Sequence, residues 1–348
     1  MDGGAASVPR HWSRYIPFIW PVFGLGIMVL AFYVLSRQAA TLSPAAIIAS
    51  LRAIPPHRLL FAAGAALLAY SSLAGYDRIA LMQLKRKMPL WFIGLVSFTT
   101  YALSHNIGAT IIAGGAIRYR AYSSRGMSLA EVTFLVLFCS FTALLGIVTL
   151  SGVLLVINPG LVERFAALLD GIVHWFGYAR GASVMASPIT LIAVARTSGF
   201  VMLALVALYV LGSLLGFKPI EMRWLHVHYP KPAVVWRQLI IAPLELVGAA
   251  GIIYFALPDM VHVDFLTVLG VFLAAYSVGL LSHSPGGLGV LESLCVAAMP
   301  EVSKPAMLAA LIIYRLFYLV VPLCISLVIA VLFERSRLRG TWAAPSEP

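Results

Sequence analysis

The chain has 348 residues, of which 61% are hydrophobic and 11% charged, whereas an ordinary soluble domain is about half apolar and a quarter charged. That composition excludes a soluble globular protein. Long apolar stretches recur at close to the ~20 residues needed to cross a bilayer core, which makes the chain a polytopic α-helical membrane protein. The net charge of +11, from 24 Lys and Arg against 13 Asp and Glu, points first to orientation signals and second to anionic lipid, not to nucleic acid.

In chain order, spans are predicted at Ile16–Leu35, Leu59–Leu84, Leu90–Ile117, Ser128–Ile157, Ile189–Phe217, Leu239–Leu257, Phe265–Met299 and Pro305–Phe333. The first follows Arg10 and Arg14 and imitates a signal peptide, but 20 apolar residues are long for that role and the rest of the chain is equally apolar. Two spans are interrupted. Leu90–Ile117 contains Ser104-His105-Asn106-Ile107-Gly108 and then Gly114-Gly115, and Phe265–Met299 contains Ser282-His283-Ser284-Pro285-Gly286-Gly287-Leu288-Gly289. Irregular backbone survives at membrane depth only where protein or a water-filled cavity satisfies it.

Charge decides how these two are drawn. If both turn back as re-entrant hairpins, fifteen Lys and Arg fall on the cytoplasmic side and six outside, with Arg78, Arg196 and Arg315 inside spans. If all eight cross, the Arg118/Arg120/Arg125 stretch lands outside, against the positive-inside tendency. The expected fold is therefore all-α, with six full transmembrane helices and two re-entrant hairpins entering from opposite faces. Both termini are cytoplasmic, in one membrane domain over 1–348 with a tail at 335–348; eight simple crossings are the alternative. Leu103-Ser104-His105-Asn106 matches Leu281-Ser282-His283-Ser284, each with a tyrosine upstream (Tyr101, Tyr276). Units 59–157 and 239–333 thus read as inverted-topology repeats, an arrangement that places substrate between discontinuous helices.

Charges inside spans cost ~2.5–3.5 kcal/mol at the membrane centre, so each needs a partner or a purpose. Asp77 adjoins Arg78, and an interfacial pair is as good a reading of it as a functional one. Glu245, after Pro243, has no basic residue nearby in its own helix, so it needs a partner from another element or a proton. In Gly114-Gly115-Ala116-Ile117-Arg118-Tyr119-Arg120, paired glycines let backbone approach a head group, and arginine forks match phosphate oxygens. An ordinary positive loop is the competing reading. Ser128-Leu129-Ala130-Glu131 is a capping box. Pro285-Gly286-Gly287-Leu288-Gly289 precedes a short helix whose N-terminus is suited to an anion, with Glu292 about one and a half turns in and Arg315 as its counter-charge. His105 and His283, with Asn106, Gly108 and Pro285, sit at the hairpin tips. Cys139, Cys295 and Cys324 form no CxxC pair and read as core residues, and His226 with His228 supplies only two ligands, so no metal and no cofactor are expected.

The runs Gly115–Ser123, Leu281–Glu292 and Tyr314–Pro322, with Gly75-Tyr76-Asp77 and Ser104–Gly108, resemble the membrane region of lysylphosphatidylglycerol synthase/flippase proteins, the multiple peptide resistance factor family. The resemblance implies a bacterial cytoplasmic-membrane protein that moves an anionic or aminoacylated phospholipid from the inner to the outer leaflet, which in the best-known members confers resistance to cationic antimicrobial peptides. It carries over Asp77, Arg118, Glu245, Glu292 and Arg315, with Arg120 beside them, as polar residues of the lipid path. Full-length members continue into a cytoplasmic aminoacyl-tRNA-dependent transferase, whereas this chain stops fifteen residues after Phe333, so a non-enzymatic translocator is expected. A membrane scaffold for a separate lipid-modifying enzyme and an ion-coupled transporter of a small anion remain open, as does a homo-oligomeric state.

Overall fold

The protein is described by a computed structural model covering residues 44–107, 110–166, 188–216, 220–222, 225–227, 229–258, 263–281 and 285–338. The predicted span Ile16–Leu35, the tip residues Gly108 and His283, and the tail beyond 338 lie outside those residues.

The described chain is helical: α1 Pro44–Arg52, α2 Pro56–Gln83, α3 Leu90–Ile107, α4 Thr110–Ser123, α5 Leu129–Ile157, α6 Pro188–Leu214, α7 Pro232–Ala256, α8 Phe265–Leu281, α9 Val290–Ala298, α10 Lys304–Arg315 and α11 Val321–Leu338. A short two-stranded antiparallel ribbon, β1 Ile220–Met222 and β2 Leu225–Val227, lies between α6 and α7 in this otherwise helical chain. The helix starts follow local chemistry. α2 and α7 open on prolines, whose missing N–H costs nothing in the first turn. α5 opens on the predicted capping box, with the Glu131 N–H donating to Ser128 Oγ at 3.3 Å and the Ser128 N–H to Glu131 Oε2 at 2.8 Å.

Among the described residues, five helices are long and apolar enough to cross a membrane: Pro56–Gln83, Leu129–Ile157, Ile189–Leu214, Pro232–Ala256 and the continuous Lys304–Phe333. They correspond to five of the six predicted full crossings. The two interrupted spans are each divided into two helices that pack against one another. A methyl group placed on Gly114 of α4 would stand 3.3 Å from Thr100 Cγ2 of α3, and one on Gly279 of α8 would stand 3.5 Å from Gly287 Cα. Two predicted details are corrected. Ser104 to Ile107 continue α3, so His105 and Asn106 belong to its last turn, and Gly114-Gly115 lie inside α4 and do not break it. Gly114 lets α4 settle on α3; it does not open the backbone to a head group.

α2 and α7 form the centre and pack along their length. Methyl groups on Gly75, Gly248 and Gly251 would stand 2.9 Å from Ile241, 2.8 Å from the Ala65 carbonyl oxygen and 3.2 Å from Ala65 Cβ, so the two helices run antiparallel with small residues between them. Without a hydrophobic drive between helices in lipid, close backbone approach of this kind carries the association. α6 leans on α5 through Gly152 and Gly199 and turns Val194, Val201, Leu205 and Leu208 outward, as a lipid-facing helix does. The last helix widens to a π-helical turn at Leu316–Val320. The cause is Pro322, whose ring would strike the Tyr318 carbonyl in a regular helix. That carbonyl instead accepts from the Tyr70 hydroxyl at 2.9 Å.

Candidate functional site

Five ionisable residues predicted for the lipid path, Asp77, Arg118, Glu245, Glu292 and Arg315, are each no more than 5% exposed. α2 supplies Asp77 and α4 supplies Arg118, and the two form a bidentate pair, Nη2 to Oδ1 at 2.6 Å and Nε to Oδ2 at 3.1 Å. Asp77 therefore does not pair with Arg78, which is exposed. The Tyr122 hydroxyl donates to Asp77 Oδ2 at 2.9 Å and the Cys139 thiol lies 3.5 Å from Oδ1. The Tyr101 ring lies under the guanidinium, 4.8 Å from its carbon to the ring centroid, a cation–π contact that steadies a buried charge. Arg120, two residues on from Arg118, is half-buried on another side of α4 and takes no part in this pair.

The second pair joins α9 to the last helix. Arg315 donates to Glu292 Oε1 through Nε at 2.6 Å and also through Nη2, as predicted. Gly286, Gly287 and Gly289 have φ of +60°, +64° and +81°, values that L side chains adopt only with strain. They turn the chain so that α9 starts at Val290, which puts Glu292 in its first turn and not one and a half turns in. Glu292 Oε2 accepts the Gly289 N–H at 2.8 Å, so the anion at this helix start is the protein's own carboxylate, which corrects the open anion site expected there.

The two divided spans meet. A methyl group on Gly286 would stand 3.6 Å from the His105 carbonyl oxygen and 3.3 Å from Leu319 Cδ1, while the Asn106 amide donates to the Ala102 carbonyl at 2.7 Å and reaches the Leu319 carbonyl at 3.4 Å. Pro285 begins the turn on the second side.

Between the pairs lies Glu245 of α7. Among the described residues no basic side chain pairs with it. Its Oε1 accepts from the Tyr318 hydroxyl at 2.6 Å, and the Tyr76 hydroxyl donates at 3.5 Å to the Ala242 carbonyl oxygen one turn away. Tyr318 is stacked on Tyr314 at 5.2 Å and on His105 at 5.3 Å, and Tyr70 tilts against it at 5.6 Å. Asp77–Arg118 and Glu245 are linked through Tyr101, His105 and Tyr318, since Tyr101 and His105 lie 5.6 Å apart. Sequence reasoning singled out the charges and missed this tyrosine lining. The signal was present as four-residue spacings, Tyr101/His105, Arg118/Tyr122 and Tyr314/Tyr318, each pair sharing one helix face. Cys139, read as a core residue, is a ligand of the Asp77 carboxylate as well. The described residues hold no group of three metal-ligating side chains.

Long apolar helices around a buried charged centre define a polytopic membrane protein. The chain belongs to the family of the lysylphosphatidylglycerol synthase TM region, whose model matches residues 22–335. It is 29% identical to an uncharacterized protein of Synechocystis over 90% of both chains. It is also 28% identical to the inner membrane protein YbhN of Escherichia coli, over 79% of this chain and 80% of that one. A phosphatidylglycerol lysyltransferase of Staphylococcus epidermidis is 33% identical over 94 residues, 26% of this chain and 11% of that protein. The likeness to the lysyltransferases is thus confined to a short stretch of much longer proteins.

Proposed function

We propose that the protein translocates a phospholipid between the leaflets of a bacterial cytoplasmic membrane, the head group passing through the buried charged centre while the acyl tails stay in lipid. Two fold-back helix pairs, α3–α4 and α8–α9, enter from opposite faces as re-entrant hairpins in inverted repeats around the antiparallel α2–α7 pair, with both termini cytoplasmic. The observation that carries this reading is the placement of Glu245, a buried carboxylate with no cation on it among the described residues, between two buried Asp/Glu–Arg pairs that each tie a divided span to a long helix. An intramembrane ionisable group of this kind marks a polar pathway, and family membership favours a lipid as its cargo. Arg118 takes the head-group phosphate in exchange for Asp77, since a guanidinium fork fits a phosphate as it fits a carboxylate. Glu245, rather than Asp77, faces a head-group amine. The Glu292–Arg315 pair holds the second hairpin.

The test is leaflet exchange of labelled phosphatidylglycerol and lysylphosphatidylglycerol in vesicles containing the purified protein. Arg118→Ala abolishes exchange; because that variant strands Asp77, the charge-neutral pair Asp77→Asn with Arg118→Gln serves as the folded control and is also expected to be inactive. Wild-type rates in the folded double variant contradict the role given to Arg118. Absence of exchange by the inserted wild type, together with co-purification of a transferase, favours a scaffold instead.

A further inference from the structure

Among the described residues, the buried centre is unbalanced by one charge. Asp77, Glu245 and Glu292 are three carboxylates against the two guanidiniums of Arg118 and Arg315, and both guanidiniums are committed to other partners. Isolated carboxylate charge is costly at membrane depth, so Glu245 is stable there in two ways only: carrying a proton, or facing a cation. Its surroundings suit both. The Tyr318 hydroxyl holds Oε1 at 2.6 Å, and aromatic faces beside a carboxylate attract an organic ammonium.

We propose that Glu245 is an exchange site at which a proton and the ammonium group of the transported lipid alternate, so that lipid movement in one direction is coupled to proton movement in the other. This rests on the translocation reading above and adds its energy source. As an ammonium head group enters, the Glu245 carboxyl O–H bond breaks, its electron pair stays on the carboxylate, and the proton passes to water on the side of entry. On the other side the ammonium leaves and the carboxylate takes a proton from water. No atom or charge is left over, and one positive charge crosses each way.

The groups facing Glu245 leave it as the exchanging one. Among the described residues, from α2 come Tyr70 and Tyr76, from α5 Cys139 beside Tyr76, from α8 Tyr276, and from the last helix Tyr314 and Tyr318, while Arg315 is held on Glu292. Tyr209 of α6 meets α7 at Gln238, about two turns away. Phenols and guanidiniums do not change charge between about pH 5 and 8, and the Cys139 thiol lies against Asp77, not Glu245. His105, stacked on the far side of Tyr318, is the other group that could.

The experiment uses the full chain in vesicles with labelled lysylphosphatidylglycerol, and phosphatidylglycerol as the ammonium-free probe, under an imposed pH difference. One-for-one exchange shifts the steady-state leaflet ratio of the lysyl lipid by about tenfold per pH unit, accumulating it in the leaflet on the acidic side, with proton flux seen by an enclosed pH dye. Phosphatidylglycerol does not respond. Glu245→Gln loses the response. Lysyl-lipid exchange that ignores the gradient overturns the coupling while the translocation reading stands; a response kept in Glu245→Gln overturns the assignment. If neither lipid moves, the translocation reading fails, and infrared difference spectra in detergent decide the site itself. Loss of a protonated-carboxyl band on adding lysylphosphatidylglycerol, absent in Glu245→Gln, is expected, and an unchanged band overturns the proposal.

Discussion

Arg118 shows why a buried pair cannot be read one residue at a time. Its guanidinium uses Nε and Nη2 on Asp77 and rests on Tyr101, so Arg118→Ala leaves a buried carboxylate with only a phenol and a thiol for company. Breaking such a pair costs about 3–5 kcal/mol, whereas replacing both partners by neutral residues is far milder. Thermal unfolding in detergent is therefore expected to place Arg118→Ala well below wild type and the Asp77→Asn/Arg118→Gln double variant between them. A single variant as stable as wild type contradicts the pairing. Cys139 gives the same site a reporter. Its thiol is buried against Asp77, so a membrane-permeant thiol reagent is expected to modify it slowly in the closed form and several-fold faster when substrate draws Arg118 away.

At the scale of elements, the glycine turn before α9 and the π-helical turn before Pro322 do related work, because each aims an ionisable or hydroxyl side chain at the centre. Pro322→Ala removes the reason for the wide turn. A regular helix then turns Tyr318 away from Glu245, and exchange activity is expected to fall while the melting temperature holds; unchanged activity contradicts the positioning role of the turn. At the α2–α7 crossing, Gly248→Val is expected to abolish folded protein, since even a methyl group there would meet the Ala65 carbonyl oxygen and the Ala69 nitrogen at 2.8 Å. Size-exclusion behaviour after extraction checks this. Much at this scale was legible in the sequence. Apolar length gave the five long helices, the Ser128/Glu131 spacing gave a cap, and Gly286 to Gly289 gave a turn. The break near Gly108 was misplaced by a few residues because Ser, His and Asn disfavour a helix only weakly, and α3 keeps them by packing against the last helix. The ribbon at 220–227 was missed because each strand is three residues long, too short for alternation to register.

For the whole molecule, composition was enough to give the class, and charge asymmetry favoured folding the two interrupted spans back on themselves. The site was half legible. Charges inside apolar spans identify themselves by cost, which singled out Asp77, Glu245, Glu292 and Arg315, while Arg118 stood out in its glycine-led basic run; the expected Glu292–Arg315 pair is present. Asp77 was left open between an interfacial pair with Arg78 and a functional role because Arg118 is 41 residues away in sequence, and no local pattern reports a contact between α2 and α4. The tyrosines around Glu245 come from three helices besides its own and meet only in the folded protein. The account stands on the claim that this centre passes a lipid head group. The most direct measurement is the rate at which labelled phospholipid reaches the opposite leaflet in vesicles holding the inserted protein, compared with protein-free vesicles and with the Asp77→Asn/Arg118→Gln variant. Fast exchange with wild type, and protein-free rates with the folded variant, is the expected result; equal rates in all three preparations would contradict the account.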